Sequence, residues 1–255
     1  MKWRASSGRS KLRLDRTLLR PLPGRRGSRT HRLLILLALS ACAASTQAQT
    51  PPDATELANY TGLFLSVVRH DATALERELG SVTAIDQRDN HGRSALHVAT
   101  YFGNHQAMRR LVAAGADANA LEDDFYDIVT IAAVANDLPT LKLALALGCR
   151  ADNVTSRYDG TALIAAAHLG HFDIVKTLVR SGAPLDHINN LHWTAVIEAI
   201  VLGDGGQRHI ATLDALVDAG ADVNLPDGNG RSPLQLARAR GYLQMVDILL
   251  AAGAN

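Results

Sequence analysis

The stretch that decides the fold of this chain is Asp89-Asn90-His91-Gly92-Arg93-Ser94-Ala95-Leu96-His97-Val98-Ala99, followed by Gly103 and closed by Ala114-Gly115-Ala116-Asp117-Ala118-Asn119. Its parts recur along the sequence. The tripeptide Ser94-Ala95-Leu96 has counterparts at Thr161-Ala162-Leu163, Thr194-Ala195-Val196 and Ser232-Pro233-Leu234. Gly115 recurs as Gly148, Gly182, Gly220 and Gly253, at spacings of 33, 34, 38 and 33 residues. Two markers that share one period indicate an internal structural repeat.

Each repeat carries the pattern of two helices. In the second half of one unit, Ile174, Val175 and Leu178 have the spacing of a buried helical stripe. The first halves carry a small residue that lets a helix pack closely on its neighbours: Ala99, Ala132, Ala166, Ala199 and Ala237. The turn between the halves holds Gly103, Gly170 and Gly241, with Asn136 in the second unit. The pattern predicts helix pairs, each followed by a hairpin-like loop.

With these features the chain resembles the ankyrin repeat family over residues 58–255. The resemblance implies an all-α solenoid of stacked helix-turn-helix units, in which each unit covers the apolar faces of its neighbours. It divides the domain into an N-terminal cap (58–87), four repeats (88–120, 121–154, 155–188 and 189–226) and a C-terminal repeat (227–255). Arg238 stands where inner repeats have Ala133 or Ala167, as suits the outer side of a terminal repeat. We expect a monomer.

The residues before the repeats have the composition of an export signal. Met1 to Arg32 contain eleven of the 26 lysines and arginines and one acid, which leaves 15 basic and 24 acidic residues, a net charge of −9, for the rest of the chain. The apolar run Leu33 to Leu39 is shorter than the roughly 20 residues that span a bilayer. We expect residues 1–48 to be a signal peptide, 49–57 a linker, and the mature protein to be periplasmic. The acidic body argues against nucleic acid as a partner.

Two modes of processing remain open. Ala41-Cys42-Ala43 and Thr46-Gln47-Ala48 offer small residues to ordinary signal peptidase, which would release a soluble protein. Leu39-Ser40-Ala41-Cys42 resembles a bacterial lipobox, in which Cys42 would be acylated. That lipid anchor is the only membrane contact we expect.

The resemblance also implies a function. Ankyrin proteins contact other proteins through the loop tips and the exposed side of the first helices, which form a concave surface. The chain is therefore expected to be a non-catalytic protein–protein interaction module of the cell envelope, or alternatively an accessory or protective partner of one exported enzyme. By register, the binding residues are Asn90, His91, Arg93, Tyr101, Phe102, Asp123, Asp124, Phe125, Tyr126, Arg157, Tyr158, His168, Leu191, His192 and Trp193.

The central repeats depart from the family pattern. The tip Glu122 to Asp127 lacks the usual glycine and threonine. It is either a solvated loop in which Asp127 caps the next helix, or an acidic-aromatic patch suited to a partner with a basic surface. Trp193 either contacts a partner or folds over an adjacent tip. Gly203 to Arg208 is an insertion that lengthens the turn between two helices, and we expect a flexible surface loop.

The sequence gives no sign of catalysis or of a cofactor. His97 takes the structural histidine position of the family, and His187 and His192 lack the neighbouring ligands of a zinc site. The acids of the second tip do not follow the spacing of a calcium loop. Cys149 lies near the end of an apolar segment, so we expect a packed thiol. We expect no enzyme activity, no metal and no cofactor.

Overall fold

The structure, a computed structural model, describes residues 50–255. The expected signal peptide and Cys42 lie outside the described residues. The helices are α1 (Ala54–Asn59), α2 (Gly62–Val68), α3 (Ala72–Leu79), α4 (Ala95–Tyr101), α5 (His105–Ala113), α6 (Ile128–Val134), α7 (Leu138–Ala146), α8 (Ala162–His168), α9 (Phe172–Arg180), α10 (Ala195–Val201), α11 (Gln207–Asp218), α12 (Pro233–Arg240) and α13 (Leu243–Ala251). Two short strands, β1 (Val154–Thr155) and β2 (Gly160–Thr161), pair antiparallel in one of the loops.

Helices α2 to α13 form six pairs, each joined by a short turn, and the pairs stack one after another along the chain. The first helices of the pairs pack on each other, and so do the second helices. The alanines expected at the close contacts, from Ala99 to Ala237, are all fully buried in the shared core. The expected all-α solenoid of helix pairs is confirmed.

Local chemistry explains where the helices begin and turn. The carboxylate of Asp127 accepts a hydrogen bond from the backbone N–H of Thr130 at 2.7 Å, so Asp127 caps α6 in place of the missing threonine. Asn136 adopts the left-handed conformation, with φ of 54°, in the turn between α6 and α7. The sequence predicts the turn at Asn136, and the Asp127 cap is one of the two alternatives that it leaves open for the second tip.

The segment expected to be a linker, residues 49–57, contains the start of α1 (Ala54–Asn59). Asp53 caps this helix by accepting hydrogen bonds from the backbone N–H groups of Thr55 and Glu56, and Glu56 accepts one from the backbone of Asp53 in return. This reciprocal cap is a local signal that residues 53–56 start a helix. Helix α1 then lies against the first full repeat, where Glu56 accepts a hydrogen bond from Arg93.

The insertion in the fourth repeat differs from the expected flexible loop. The other full inner repeats join their helices through three residues, whereas α10 and α11 are separated by five, and α11 has 12 residues where α5, α7 and α9 have nine. The inserted residues therefore extend the helix as well as the turn. The turn is also fastened on both sides: the Tyr242 hydroxyl donates to the Gly203 carbonyl at 3.0 Å, and Arg208 donates to the Leu169 carbonyl at 2.8 Å.

Candidate functional site

The loop tips of neighbouring repeats are hydrogen-bonded into one edge. The backbone N–H of Asp123 donates to the His91 carbonyl at 3.1 Å, that of Ser156 to the Phe125 carbonyl at 2.9 Å, and that of Asn190 to the Tyr158 carbonyl at 2.9 Å. The first four tips thus form a continuous ribbon, which we call the tip edge. Because these hydrogen bonds fix the backbone of the tips relative to one another, the side chains of the tip edge form a preorganised surface.

One turn position recurs in all five tips with left-handed backbone. It is occupied by Gly92, Phe125, Asp159, His192 and Gly230, with φ of 67°, 64°, 53°, 59° and 76°. The outer tips use glycine, which adopts this conformation without steric cost. The three central tips carry side chains instead, and a bulky residue such as Phe is a clear outlier there. The three central tips therefore carry a side chain at a position where the left-handed backbone favours glycine.

In the first tip, Asn90 and His91 are exposed as expected, but Arg93 is not. Its side chain is only 1% exposed, which corrects its assignment to the contact surface. The guanidinium donates to Asp89 at 2.7 Å, to the Thr50 carbonyl at 2.8 Å and to Glu56 of α1. The N-terminal segment covers Arg93, so this residue joins α1 to the first repeat.

Asp89 is the centre of the same network. It accepts from the Tyr60 hydroxyl at 2.7 Å, from Arg93, and from the backbone N–H of His91. Burial alone would raise the pKa of this carboxyl, but the hydrogen bonds from Tyr60, His91 and Arg93 lower it overall. The ionised Asp89 carboxylate therefore holds the backbone of the first tip through its hydrogen bonds to His91 and Arg93.

The second tip is organised by Glu122. Its carboxylate accepts from the backbone N–H of Asp124 at 3.0 Å and of Tyr126 at 2.9 Å, and burial raises the pKa of this group. Phe125 projects outward and is 51% exposed, with Asp123 exposed beside it. Tyr126 is only 8% exposed, which corrects its place among the contact residues: it packs inward. Asp127 is thus the helix cap, and Phe125 and Asp123 form an exposed acidic-aromatic pair.

An ion pair connects the second and third tips. Arg157 is exposed and its guanidinium donates to Asp124 at 2.6 Å. Tyr158 is half-buried, and His168, at the end of α8, is mostly covered. The acidic charge of the second tip is therefore partly compensated by Arg157.

In the fourth tip His192 is exposed, whereas Leu191 and Trp193 are half-buried. The Trp193 ring packs partly against the hydrophobic core. On the helix side, Tyr101 is half-buried and Phe102 is exposed, so one of the two rings turns inward. The freely exposed members of the expected set are Asn90, His91, Phe102, Asp123, Phe125, Arg157 and His192.

The buried histidine and cysteine have structural partners. His97 bonds to the Ser94 hydroxyl at 2.8 Å and to the Ala120 carbonyl at 3.0 Å, which fits its expected structural role. Cys149 is buried and its thiol contacts the Asp127 carboxylate at 3.6 Å; burial raises the pKa of the thiol. Among residues 50–255, no group of three or more His, Cys, Asp or Glu side chains is arranged to hold a metal ion.

One buried acid was missed from the sequence. Glu198 in α10 is almost fully buried, at the register position that holds Val98, Ile131, Ala165 and Leu236 in the other full repeats. A charged residue type at an otherwise apolar register position is the signal that could have revealed it. Its Oε1 accepts from the Asn189 amide at 3.0 Å, and Asn189 in turn accepts from the backbone N–H groups of Leu191 and Trp193. Glu198 therefore stabilises the backbone of the fourth tip through its hydrogen bond to Asn189.

Over the described range, none of the helices has both the length and the apolar character needed to cross a bilayer.

Comparison with known proteins identifies the repeats. The family model for ankyrin repeats in three copies matches residues 129–227, and that for a single ankyrin repeat matches residues 91–123 and 229–255. The chain is 34% identical over 172 residues to the ankyrin repeat protein YahD of Escherichia coli K12, covering 67% of this chain and 85% of YahD.

Solved structures agree. An ankyrin repeat domain of Acinetobacter baumannii AYE is 40% identical, with a TM-score of 0.71 over 76% of this chain and 98% of that one. The ankyrin repeat domain of Bcl-3, a member of the IκB protein family, is 26% identical, with a TM-score of 0.69 over 77% of this chain and 88% of that domain. Of some large eukaryotic and viral relatives, however, the chain spans only 5% or 21% of the length.

Proposed function

Because the chain belongs to the ankyrin repeat family, whose repeats indicate a protein–protein interaction module, we propose that it binds one or more proteins of the bacterial cell envelope through the central part of its tip edge. The fold is generally a non-catalytic scaffold. Fold alone does not determine which surface is used, so the proposal depends on specific residues.

The observation that carries the proposal is the left-handed position of the tips. A left-handed backbone costs an ordinary L-residue about 1–2 kcal/mol, yet Phe125 accepts it while half of its surface faces solvent. Strain of this kind is concentrated at functional sites. An exposed aromatic ring on a rigid edge is also the type of residue that dominates binding energy.

The charge of the surface favours a basic partner. Residues 50–255 carry the net charge of −9. On the tip edge, Asp123 is exposed and Asp124 is partly exposed. A partner segment with arginine or lysine could pair with these acids and lay its aliphatic stem on Phe125. The tip edge would then supply both apolar and charged contacts.

The place of action is the second part of the proposal. It rests on the basic leader, the short apolar run and the small residues that follow, which together have the order of an export signal. Cell fractionation and the intact mass of the mature protein test it. A periplasmic chain without residues 1–48, or a heavier membrane-bound chain acylated at Cys42, supports export; an uncleaved chain in the cytoplasm overturns it.

Photo-crosslinking in living cells tests the binding surface. A photoreactive phenylalanine analogue at Phe125 or His192 is expected to trap a partner, whereas the same analogue at Leu250, an exposed residue of the last helix, serves as the matched control. Several unrelated partners indicate a scaffold, and one dominant exported enzyme indicates the accessory function. Adducts from Leu250 but none from the two tips would refute the choice of surface.

A further inference from the structure

The buried carboxyl group of Glu198 has only one of its two oxygens hydrogen-bonded within residues 50–255. Its Oε1 is bonded to Asn189, but Oε2 is buried and makes no hydrogen bond within residues 50–255. Leaving a buried carboxylate oxygen without a partner is strongly unfavourable. The Nδ1 atom of His168 is 3.6 Å from Oε2, just beyond hydrogen-bond distance.

We propose that Glu198 is a neutral carboxylic acid at neutral pH, that its proton lies on Oε2 and is shared with Nδ1 of His168, and that this proton ties the third repeat to the fourth and holds the fourth tip in place. A proton on Oε2 turns an orphan acceptor into a donor, and Nδ1 is an acceptor in the neutral imidazole tautomer that carries its proton on Nε2. A small closure of the 3.6 Å gap then gives Oε2 its missing hydrogen bond.

The surroundings of the pair agree with a neutral acid. Burial raises the pKa of Glu198 to about 8, against a weaker opposing effect of the Asn189 hydrogen bond. Burial also lowers the pKa of His168, and the neighbouring His209 and His171 add to this. Both directions disfavour the ion pair and place a single proton between the two groups.

The other charged groups around the pair belong to elements packed on α10. From α11, His209 faces the pair and bonds to Asp204 at 2.9 Å and to the His168 carbonyl at 2.9 Å. His171, at the start of α9, bonds to the Ala133 carbonyl. From α12, Arg238 and Arg240 are both exposed. Within the described part of the chain, Glu198 is thus approached by the imidazole of His168 and the amide of Asn189, and no buried guanidinium or ammonium group holds it ionised.

The residue next to Glu198 in the tip fits the same proposal. The first and last full repeats have an aspartate at the position of Asn189, namely Asp89 and Asp227, and each carboxylate pairs with an arginine four residues later. In the fourth repeat an amide stands there and donates to Glu198 instead. Since Asn189 also accepts from the tip backbone, the chain His168–Glu198–Asn189 positions Leu191 to Trp193. Glu198 is a positioning residue of the proposed binding edge, and to this extent the inference rests on the proposed function.

Titration of His168 by nitrogen-15 NMR tests the shared proton without any partner, so its outcome is independent of the binding proposal. The His168→Gln variant identifies the resonance. A neutral pair predicts that the pKa of His168 lies below its ordinary value. A pKa of His168 above the ordinary value would mean an ion pair with charged Glu198, and it would overturn the proposal.

Unfolding in urea gives a second readout. A carboxyl whose folded pKa is raised contributes stability at low pH that is lost as the pH rises through the folded value. The urea midpoint of the wild type is therefore expected to fall relative to that of Glu198→Gln between pH 5.5 and 8.5, while the exposed control Asp247→Asn should run parallel to the wild type. Parallel curves for wild type and Glu198→Gln would overturn the proposal, and should that variant fail to fold, the His168 titration decides alone.

Discussion

At the scale of single residues, the same amino acid at the same register position has two different roles. Arg93 and Arg231 both follow a tip aspartate by four residues and both bond to it. Arg93 is covered by α1 and has two further acceptors, whereas the Arg231 side chain is 49% exposed and, among residues 50–255, pairs with Asp227 alone. Burial by a distant segment, rather than sequence, separates a structural arginine from a surface one.

This difference can be measured with two matched substitutions. Arg93→Ala leaves Asp89 and Glu56 without their buried counter-charge and is expected to lower the free energy of unfolding by about 3 kcal/mol. Arg231→Ala should cost less, about 1 kcal/mol, because half of the Arg231 side chain faces solvent and the buried Asp227 keeps its hydrogen bonds from the backbone N–H groups of residues 229 and 231. Urea denaturation of both variants checks the difference; equal losses would show that α1 does not bury Arg93 in solution.

Phe125 offers a second prediction at this scale. Phe125→Gly removes the left-handed strain but adds conformational freedom to the unfolded chain, so the free energy of unfolding should stay within about 1 kcal/mol of the wild type. Asn136→Gly is the control, since it changes a residue of the same conformation in a turn between helices. A loss of several kcal/mol in Phe125→Gly would mean that the ring is part of the core and not a free contact.

At the scale of elements, the insertion in the fourth repeat is an anchored turn. Gly205 has φ of 71°, and a Cβ placed there would approach the Tyr242 ring to 2.5 Å. Gly103, in the corresponding turn of the first full repeat, also has positive φ, but nothing lies within 4 Å of its Cβ direction. Substituting each of the two glycines therefore distinguishes the cost of backbone strain from the cost of steric contact.

Alanine substitution of these glycines tests whether the turn is held by Tyr242. Gly103→Ala should cost about 1 kcal/mol, from backbone strain alone. Gly205→Ala should cost about 1–3 kcal/mol more, because the added methyl group displaces the ring. Thermal or urea unfolding measures both, and similar losses would indicate that the turn moves freely away from Tyr242.

At the scale of the whole molecule, the acidic charge should set how the partner binds. If a basic segment meets the tip edge of a body with net charge −9, the dissociation constant should rise markedly as salt is increased from about 0.05 to 0.5 M, since exposed charges are screened over about 10 Å at 0.1 M. Titration calorimetry with a partner found by crosslinking provides the measurement. Affinity that does not change with salt would point to an apolar interface.

The repeat architecture follows from the sequence because its causes are local. The 33- to 38-residue period, the cap at Asp127 and the left-handed Asn136 depend on neighbouring residues, and the structure confirms them. The errors concern contacts that cross the sequence. Arg93 is buried by Glu56, 37 residues earlier, and Glu198 meets His168, 30 residues away on another helix. Tyr126 is adjacent to exposed residues, and only the packing of the tip turns it inward.

The most direct test of the central claim is the affinity of a crosslinked partner for the double variant Phe125→Gly/His192→Gly. Both substitutions keep the left-handed backbone and remove only the side chains of the central tips. The affinity is expected to fall at least tenfold, with unfolding in urea nearly unchanged, while Asn136→Gly binds as the wild type does. Unchanged affinity of the double variant, in a folded protein, would contradict binding through the tip edge.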